Sequence, residues 1–223
     1  GVTISAPDAP DVQVTPPGLT TPDAADVAEL MAKLAAEGVT HVALEASSHG
    51  VDQRRLDGVR LTAAGFLNLT QDHLDYHGTM GVYRAAKLRL FEDLLAPGGA
   101  AVLNADSDQF DTFAAVATGA GHPILSTGAA GQGLRLSARH LTADGQRLTV
   151  VHGGRDFDLQ LPLAGAFQAD NALVAAGLCI AVEPRPQGGV ILHDRIRGLG
   201  DRGEQVEVRP LARVHGDDPR RVG

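Results

Sequence analysis

A dense polar segment of the sequence carries side chains that could hold a divalent metal ion. Residues 72–77 are Asp-His-Leu-Asp-Tyr-His, and they follow closely after the apolar run 61–69. In an open α/β sheet, ligands bind beyond the carboxyl ends of the strands. Imidazole and carboxylate groups at such a position are usable ligands for a divalent cation. The alternative is an ordinary polar loop with a helix cap, and the chemistry alone leaves both interpretations open.

Lys87 is a second candidate for chemistry. Of the 19 basic residues, two are lysines, Lys33 and Lys87, so arginine serves almost everywhere that a plain positive charge is needed. A lysine amine can lose its proton when it is buried and can then react, which a guanidinium cannot do. We therefore expect that Lys87 is needed as a primary amine, and we interpret Lys33 as a solvated helical lysine.

The elements that must position these groups alternate as in an α/β protein. Thr21-Pro22-Asp23 has the composition of a helix start, and apolar residues at helical spacing follow it as far as Gly38. A second helix is predicted from about Thr79 to Leu95. Short apolar runs predict strands buried in a parallel sheet at residues 41–46, 61–69 and 100–104. This alternation predicts βαβ units.

The second half of the chain has a different pattern. From about Leu134 to Leu163, apolar and polar residues alternate between glycine-containing turns, which predicts a small antiparallel β meander. A last helix is expected from about Phe167 to Val182. Residues 1–18 indicate a loop or a short hairpin. The fold class that follows is α/β, a mostly parallel sheet flanked by helices with a small antiparallel β meander.

Composition argues against several classes of function. The formal net charge is −8 and the basic residues are scattered, which argues against a nucleic-acid surface. The sequence has no apolar run of about 18 residues and no start of the secretory type, so we expect no membrane partner and a cytoplasmic location. Cys179, the single cysteine, cannot form an internal disulfide and is interpreted as a small buried hydrophobe.

The polar segment and Lys87 together carry a resemblance to a known family. Asp-His-Leu-Asp-Tyr-His-Gly at 72–78, followed by Tyr-x-x-Ala-Lys-x-x-Leu-Phe at 83–91, resembles the signature of the Mur ligases in its muramoyl-tripeptide synthetase form. The resemblance implies that His73 ligates a magnesium ion and that Lys87 is carbamylated on its amine. The carbamate would help to position Mg²⁺ against the phosphates of ATP, because this cation prefers oxygen ligands.

A second segment is similar to the same family. Glu45-Ala-Ser-Ser-His-Gly, with Gln53 and Arg55 following, resembles its Glu-x-Ser-Ser-His-Gly stretch. The resemblance implies that Glu45 binds magnesium and that Ser47, Gln53 and Arg55 hold a UDP-muramoyl-dipeptide. The chemistry agrees, because the planar fork of arginine can bind two oxygens of a carboxylate or diphosphate.

Two shorter matches complete the resemblance. Thr20-Thr21-Pro22 resembles a Thr-Thr-Pro contact to the same nucleotide sugar, although a plain helix cap at Thr21 is the alternative. Residues 165–171, Gly-Ala-Phe-Gln-Ala-Asp-Asn, resemble the family segment Gly-x-Phe-Asn-x-x-Asn, which implies that Asn171 contacts ATP. Gln168 replaces the first asparagine of that pattern, and a buried capping role for Asn171 is the alternative.

The resemblance implies an enzyme of peptidoglycan synthesis with Mg²⁺ as cofactor and ATP as co-substrate. Such a ligase adds meso-diaminopimelate, or another diamino acid, to UDP-N-acetylmuramoyl-L-alanyl-D-glutamate through an acyl phosphate. Two rival interpretations stay open. The chain could bind the nucleotide sugar without catalysis, or it could be a metal-dependent hydrolase built on Asp72, His73 and His77.

The match extends from about Thr20 to Val182, and the family's Gly-x-x-Gly-Lys-Thr loop for ATP does not occur in these 223 residues. We therefore expect residues 1–182 to form a central domain that lacks its phosphate-binding loop. Residues 183–223 are expected to be an irregular tail, a remnant of the junction to a missing C-terminal domain. On this interpretation the chain is a fragment that cannot complete the reaction alone.

Overall fold

The computed structural model describes residues 21–182 with their side chains, together with the backbone of two N-terminal strands. These strands, β1 (Val2–Ala6) and β2 (Ala9–Thr15), pair antiparallel, so of the two alternatives predicted for residues 1–18, a loop or a short hairpin, the structure has the pairing of a hairpin. The predicted tail, 183–223, lies outside the described residues.

A six-stranded sheet organises the described part of the chain. Its strands, in both chain order and sheet order, are β3 (Leu61–Phe66), β4 (Leu95–Asn104), β5 (Ile124–Gly128), β6 (Leu134–Thr142), β7 (Gly145–His152) and β8 (Arg155–Leu161). Pairing is parallel from β3 to β6 and antiparallel from β6 to β8. The fold class is therefore confirmed, and the antiparallel meander continues the parallel sheet.

Helices precede, separate and follow the strands of this sheet. They are α1 (Ala24–Ala36), α2 (Ser48–Asp52), α3 (Leu74–His77), α4 (Met80–Arg89), α5 (Phe110–Gly119) and α6 (Ala166–Val182). A π-helical turn, Leu90–Leu94, extends α4, so the helix predicted before β4 is confirmed, as is the last helix. Sequence patterns did not predict α5 and β5. Helix α5 forms the crossover between β4 and the parallel strand β5.

Both faces of the parallel strands are covered. On one face Phe66 stacks on Phe113 of α5, with 3.7 Å between the ring centroids. On the other face α6 approaches so closely that a Cβ added at Gly65 would meet Val174 at 2.9 Å. Successive strand residues point to opposite faces of the sheet, so the side chains on both faces must be apolar. This explains why β3 and β4 appear in the sequence as nearly continuous apolar runs.

Helix α1 does not begin as predicted. Asp23, not Thr21, occupies its cap position, and no side-chain hydrogen bond caps the helix. Thr21 is 2% exposed and its hydroxyl bonds to residues 45–47. The interpretation of Thr21 as a plain helix cap is therefore wrong. Gly38 ends the helix as predicted, because its φ of 80° is accessible to glycine without strain.

The strand predicted at residues 41–46 is also wrong. The structure has no regular secondary structure there, and Val42 and Leu44 are 45% and 37% exposed. A strand needs a neighbouring ladder of backbone hydrogen bonds, and the described sheet begins at β3 without including this segment. The apolar composition of residues 41–46 was therefore not enough to predict a strand.

None of the helices among the described residues combines the length and the apolar character that a membrane crossing requires.

The close approach of α6 to the sheet generates a stability prediction. A Cβ at Gly177 would meet Val102 Cγ1 at 2.6 Å and Leu125 Cδ2 at 3.0 Å. We expect Gly177→Ala to lower the free energy of unfolding by about 1 to 3 kcal/mol through overpacking, although alanine is the better helix former. Urea unfolding followed by circular dichroism measures the change.

Gly119→Ala is the matched control, because a Cβ on this residue at the end of α5 would meet nothing within 4 Å. We expect it to leave the urea midpoint unchanged or slightly raised. Equal midpoints for the two variants would contradict the packing explanation.

Candidate functional site

The buried hydroxyl of Thr21 gathers one part of the site. Thr21 Oγ1 donates to the backbone carbonyl of Glu45 at 3.0 Å and accepts from the backbone N–H of Ser47 at 3.0 Å. Ser47 Oγ lies 3.0 Å from the same hydroxyl and also accepts from the N–H of Gly50, which caps α2. The predicted site residues Glu45 and Ser47 are thus held through one threonine side chain.

Arg55 extends this network. Its Nη1 donates to the carbonyl of Thr21 at 2.7 Å, and its Nη2 donates to Gln53 Oε1. Asp23 Oδ1 lies 3.6 Å from Arg55 Nε. Thr21, Ser47, Gln53 and Arg55 therefore form one connected group, which we call the acceptor network. Thr20, which the sequence placed beside them, lies outside the described residues.

The polar segment after β3 forms the second part of the site. His73 has φ of 53°, a left-handed conformation that a non-glycine residue adopts at some cost. Its backbone N–H donates to Asp72 Oδ1 at 2.8 Å, and its Nε2 lies 3.4 Å from Asp72 Oδ2. The short helix α3 follows and presents Tyr76 and His77.

Five rings pack together where α2, α3 and α4 meet. This ring cluster consists of His49, His73, Tyr76, His77 and Tyr83. His49 is at its centre, with ring centroids 4.9 Å from His73, 4.2 Å from Tyr76 and 5.5 Å from His77. His77 stacks on Tyr83 at 5.1 Å. The cluster therefore joins the segment of Ser47 to the segment of His73.

Lys87 lies beside this cluster. Its Nζ is 5.2 Å from the centroid of the Tyr83 ring, which is one helical turn earlier on α4, and the residue is half-buried. Burial lowers the pKa of Lys87 below its usual value, whereas the carboxylates of Glu45 and Asp72 act in the opposite direction. Lys87 therefore lies within electrostatic range of both carboxylates.

His77, like Tyr83, is a buried member of the ring cluster. It is 6% exposed, its Nε2 lies 3.0 Å from Ser48 Oγ, and its Nδ1 has no hydrogen-bond partner among residues 21–182. Burial lowers the pKa of His77, with Asp52 opposing this and His49, His73 and Lys87 adding to it. The contact with Ser48 and the stacking on Tyr83 hold His77 within the ring cluster.

The side chains around Lys87 fit a magnesium ion if the lysine carries a carbamate. Within residues 21–182, no three His, Cys, Asp or Glu side chains are grouped to hold a metal, so the hydrolase site built on Asp72, His73 and His77 has no geometric support. A carbamate on Lys87 would put a third anion near Glu45 and Asp72, and mutual repulsion among three anions is relieved by a divalent cation.

Asn171 lies on α6, and its Nδ2 donates to Gln168 Oε1 at 3.2 Å. Its neighbour Asp170 has a pKa raised by burial and by the charge of Asp106, which follows β4. The start of α6 is therefore near the carboxyl end of β4. Among the described residues, the side-chain hydrogen bond of Asn171 goes to Gln168 and not to Lys87 or its neighbours.

Sequence reasoning gave no role to His49 or Asp52. Both contact Tyr76: the His49 ring packs on it and Asp52 Oδ2 accepts from its hydroxyl at 2.8 Å. One sequence pattern could have pointed to His49, because it lies four residues before the predicted site residue Gln53 and would share one face of a helix with it. Both indeed contact Tyr76.

Comparison with known proteins gives the family to which the chain belongs. The family described as the Mur ligase middle domain matches residues 3–179. UDP-N-acetylmuramoyl-L-alanyl-D-glutamate--2,6-diaminopimelate ligase of Caulobacter vibrioides is 66% identical over 181 residues, 81% of this chain and 37% of that protein. The ligase of the same name from Bradyrhizobium diazoefficiens is 45% identical over 203 residues, 89% of this chain and 42% of that protein.

A solved structure of a ligase with this name superimposes with a TM-score of 0.66 at 31% identity, covering 74% of this chain and 34% of the other. The chain thus spans about two fifths of the length of the curated relatives it matches. The family match extends over most of the 223 residues, and it includes all the described residues that form the acceptor network and the ring cluster. This chain belongs to the Mur ligase family.

Proposed function

We propose that this chain supplies the metal site and the acceptor site of an ATP-dependent ligase that adds meso-diaminopimelate, or another diamino acid, to UDP-N-acetylmuramoyl-L-alanyl-D-glutamate. The observation that carries the proposal is the half-buried Lys87 within electrostatic range of Glu45 and Asp72. The names of the 66% and 45% identical relatives support the choice of substrate.

Lys87 is suited to carbamylation. Carbon dioxide adds to a neutral amine, forming an N–C bond, and the amine loses one proton to give the carbamate anion. Because burial lowers the pKa of Lys87, more of the amine is neutral near pH 7 than for a solvated lysine. Once formed, the carbamate is an anion beside the carboxylates of Glu45 and Asp72. It therefore needs a positive partner to offset the repulsion between these charges.

Mg²⁺ would be that partner, with Glu45, His73 and the carbamate of Lys87 as its protein ligands. When bound, it would neutralise the charge that develops on the phosphates of ATP during transfer. Phosphoryl transfer depends mainly on such positioning, so the chain needs no nucleophile of its own. Asn171 is proposed to contact ATP from the start of α6.

The acceptor network would hold the nucleotide sugar. Arg55 offers a planar fork to an anionic group, while Ser47, Gln53 and the hydroxyls of Thr20 and Thr21 are proposed as further contacts. The γ-phosphate of ATP is transferred to the glutamyl carboxylate, which gives an acyl phosphate and ADP. The amine of the incoming diamino acid attacks this carbonyl, and phosphate leaves as the amide bond forms.

A second candidate function is binding without catalysis. It is favoured by one observation, namely that the 223 residues contain the acceptor network but no Gly-x-x-Gly-Lys-Thr loop for ATP. In this case the chain alone would bind UDP-N-acetylmuramoyl-L-alanyl-D-glutamate and would not release phosphate from ATP.

The ligase proposal predicts the behaviour of a chimera. Residues 21–182 of this chain replace the matching segment of the Caulobacter vibrioides relative, and ATP-dependent ligation of diaminopimelate is measured by phosphate release. We expect the chimera to be active. Lys87→Arg in the chimera is expected to lower kcat by about 100-fold or more, because arginine cannot carry a carbamate and the preorganised charge is lost.

Lys33→Arg is the matched control for this experiment, since Lys33 is the other lysine of the chain and is exposed on α1. We expect it to keep the activity of the chimera. A Lys87→Arg chimera that is as active as the Lys33→Arg chimera would rule out the proposed role of the amine.

The acceptor network predicts an affinity change that this chain can show alone. Arg55→Lys should weaken binding of UDP-N-acetylmuramoyl-L-alanyl-D-glutamate by about 10-fold, which is about 1.4 kcal/mol, because an ammonium group cannot form the two-pronged contact. Isothermal titration calorimetry without ATP measures this affinity. Arg54→Lys is the control, because Arg54 is exposed and pairs with Asp57 at 3.1 Å. Similar affinities for the two variants would count against Arg55 as an acceptor ligand.

A further inference from the structure

Tyr76 is held in place by polar contacts rather than by burial. The residue is 41% exposed and lies on the four-residue helix α3. Its hydroxyl donates to Asp52 Oδ2 at 2.8 Å and accepts from Gln53 Nε2 at 3.1 Å. The His49 ring packs against it with 4.2 Å between centroids. These contacts all come from α2 and the residue that follows it, so Tyr76 ties α3 to the acceptor side of the site.

The phenol hydroxyl also decides which way the Gln53 amide points. A phenol has one proton to donate, and here that proton goes to the Asp52 carboxylate. The oxygen of Tyr76 can therefore only accept from Gln53, which must present its NH₂ group. The Gln53 carbonyl oxygen is then free to accept from Arg55 Nη2. Gln53 in this way links the Tyr76 hydroxyl to the Arg55 guanidinium, which also donates to the Thr21 carbonyl.

Few hydrogen bonds cross between the two halves of the site. Within residues 21–182, side-chain hydrogen bonds between the segments 45–57 and 72–79 are those of Tyr76 and that of His77 to Ser48. The His77 contact is buried beneath the ring cluster, whereas the Tyr76 contacts are at its exposed rim. Tyr76 is thus the link that reaches the polar atoms of the acceptor network.

The same short segment carries His73. Tyr76 lies three positions after His73, and His73 packs on the His49 ring that also supports Tyr76. Fixing His73 on a cation therefore restricts Tyr76, and fixing Gln53 and Arg55 on a ligand restricts it from the other side. Two binding events that each require ordering of the same segment favour each other.

We propose that Tyr76 is a positioning residue that couples the acceptor network to the His73 segment, so that a divalent cation and the nucleotide-sugar acceptor each strengthen the binding of the other. This inference rests on the proposed function for the location of the two ligands. Such coupling is reciprocal and amounts to about 5-fold to 150-fold in affinity for typical coupled sites.

Isothermal titration calorimetry on this chain tests the coupling. UDP-N-acetylmuramoyl-L-alanyl-D-glutamate is titrated into the wild-type chain and into Tyr76→Phe, in Mg²⁺ and in EDTA. We expect Mg²⁺ to raise the affinity of the wild-type chain by about 5-fold or more. In Tyr76→Phe the Mg²⁺ effect should fall to about 2-fold or less, because phenylalanine keeps the ring and removes the hydroxyl that orients Gln53.

Thr149→Val is the matched control. Thr149 Oγ1 donates to Asp158 Oδ1 at 2.8 Å on the antiparallel meander, so the variant also removes one hydroxyl that bonds to an aspartate. It should keep the wild-type Mg²⁺ effect. Any direct pairing of Mg²⁺ with the diphosphate in solution is the same for all three chains, so it cancels in the comparison. Urea unfolding of each chain checks that all are folded.

The outcomes separate the inference from the proposed function. If the folded wild-type chain does not bind the nucleotide sugar under either condition, the proposed acceptor site fails and the coupling fails with it. If the wild-type chain binds but Mg²⁺ has the same effect on it and on Tyr76→Phe, the coupling role is overturned and the acceptor site stands. The coupling role is also overturned if Tyr76→Phe weakens binding equally in Mg²⁺ and in EDTA.

Discussion

The buried hydroxyl of Thr21 is the interaction on which the arrangement of the site depends. Residues 41–46 have no strand ladder to hold them, yet Glu45 and the start of α2 occupy defined positions because Thr21 Oγ1 bonds to the carbonyl of Glu45 and the N–H of Ser47. Removing this hydroxyl would leave buried polar groups without a partner, which costs about 1 to 3 kcal/mol. The carbonyl of Thr21 also accepts from Arg55. One residue thus orients a proposed metal ligand and the proposed acceptor ligands.

Lys87 brings a different constraint, which is electrostatic. An amine that is partly removed from water favours its neutral form, whereas the neighbouring carboxylates of Glu45 and Asp72 favour the ammonium form. Carbamylation followed by cation binding would resolve this conflict, since the charge of the group changes sign and a shared cation then satisfies all three anions. The same environment would be costly for an isolated carbamate. The modification and the metal are therefore expected to depend on each other.

Much of the fold could be predicted from the sequence. Buried parallel strands were predicted from apolar runs at 61–69 and 100–104, and the structure has them at 61–66 and 95–104. The meander was visible as alternation. Both patterns follow directly from which faces are covered. The strand expected at 41–46 was wrong, because apolar residues indicate burial only if a neighbouring strand is present. Helix α5 was missed, although its core-facing residues Phe110, Phe113, Ala114 and Ala117 recur at helical spacing.

The candidate site was predicted in part. Motif resemblance predicts Glu45, His73 and Lys87 as site residues. It gave no role to His49 or Asp52, whose contacts with Tyr76 depend on how α2 and α3 pack. A helix cap was the alternative for Thr21 beside the contact to the nucleotide sugar, because local sequence does not reveal contacts to residues 24 or more positions away. Long-range hydrogen bonds of this kind are set by the fold, not by spacing in the chain.

The most direct test of the shared site is a carbon-13 NMR spectrum of this chain in labelled bicarbonate, recorded with and without Mn²⁺ in place of Mg²⁺. We expect a carbamate carbon signal in the wild-type chain that is absent from Lys87→Arg and that Mn²⁺ broadens strongly, because the paramagnetic ion binds beside it. A wild-type spectrum without a carbamate signal, or with a signal that Mn²⁺ leaves sharp, would contradict the proposal that Lys87 and a divalent cation share one site.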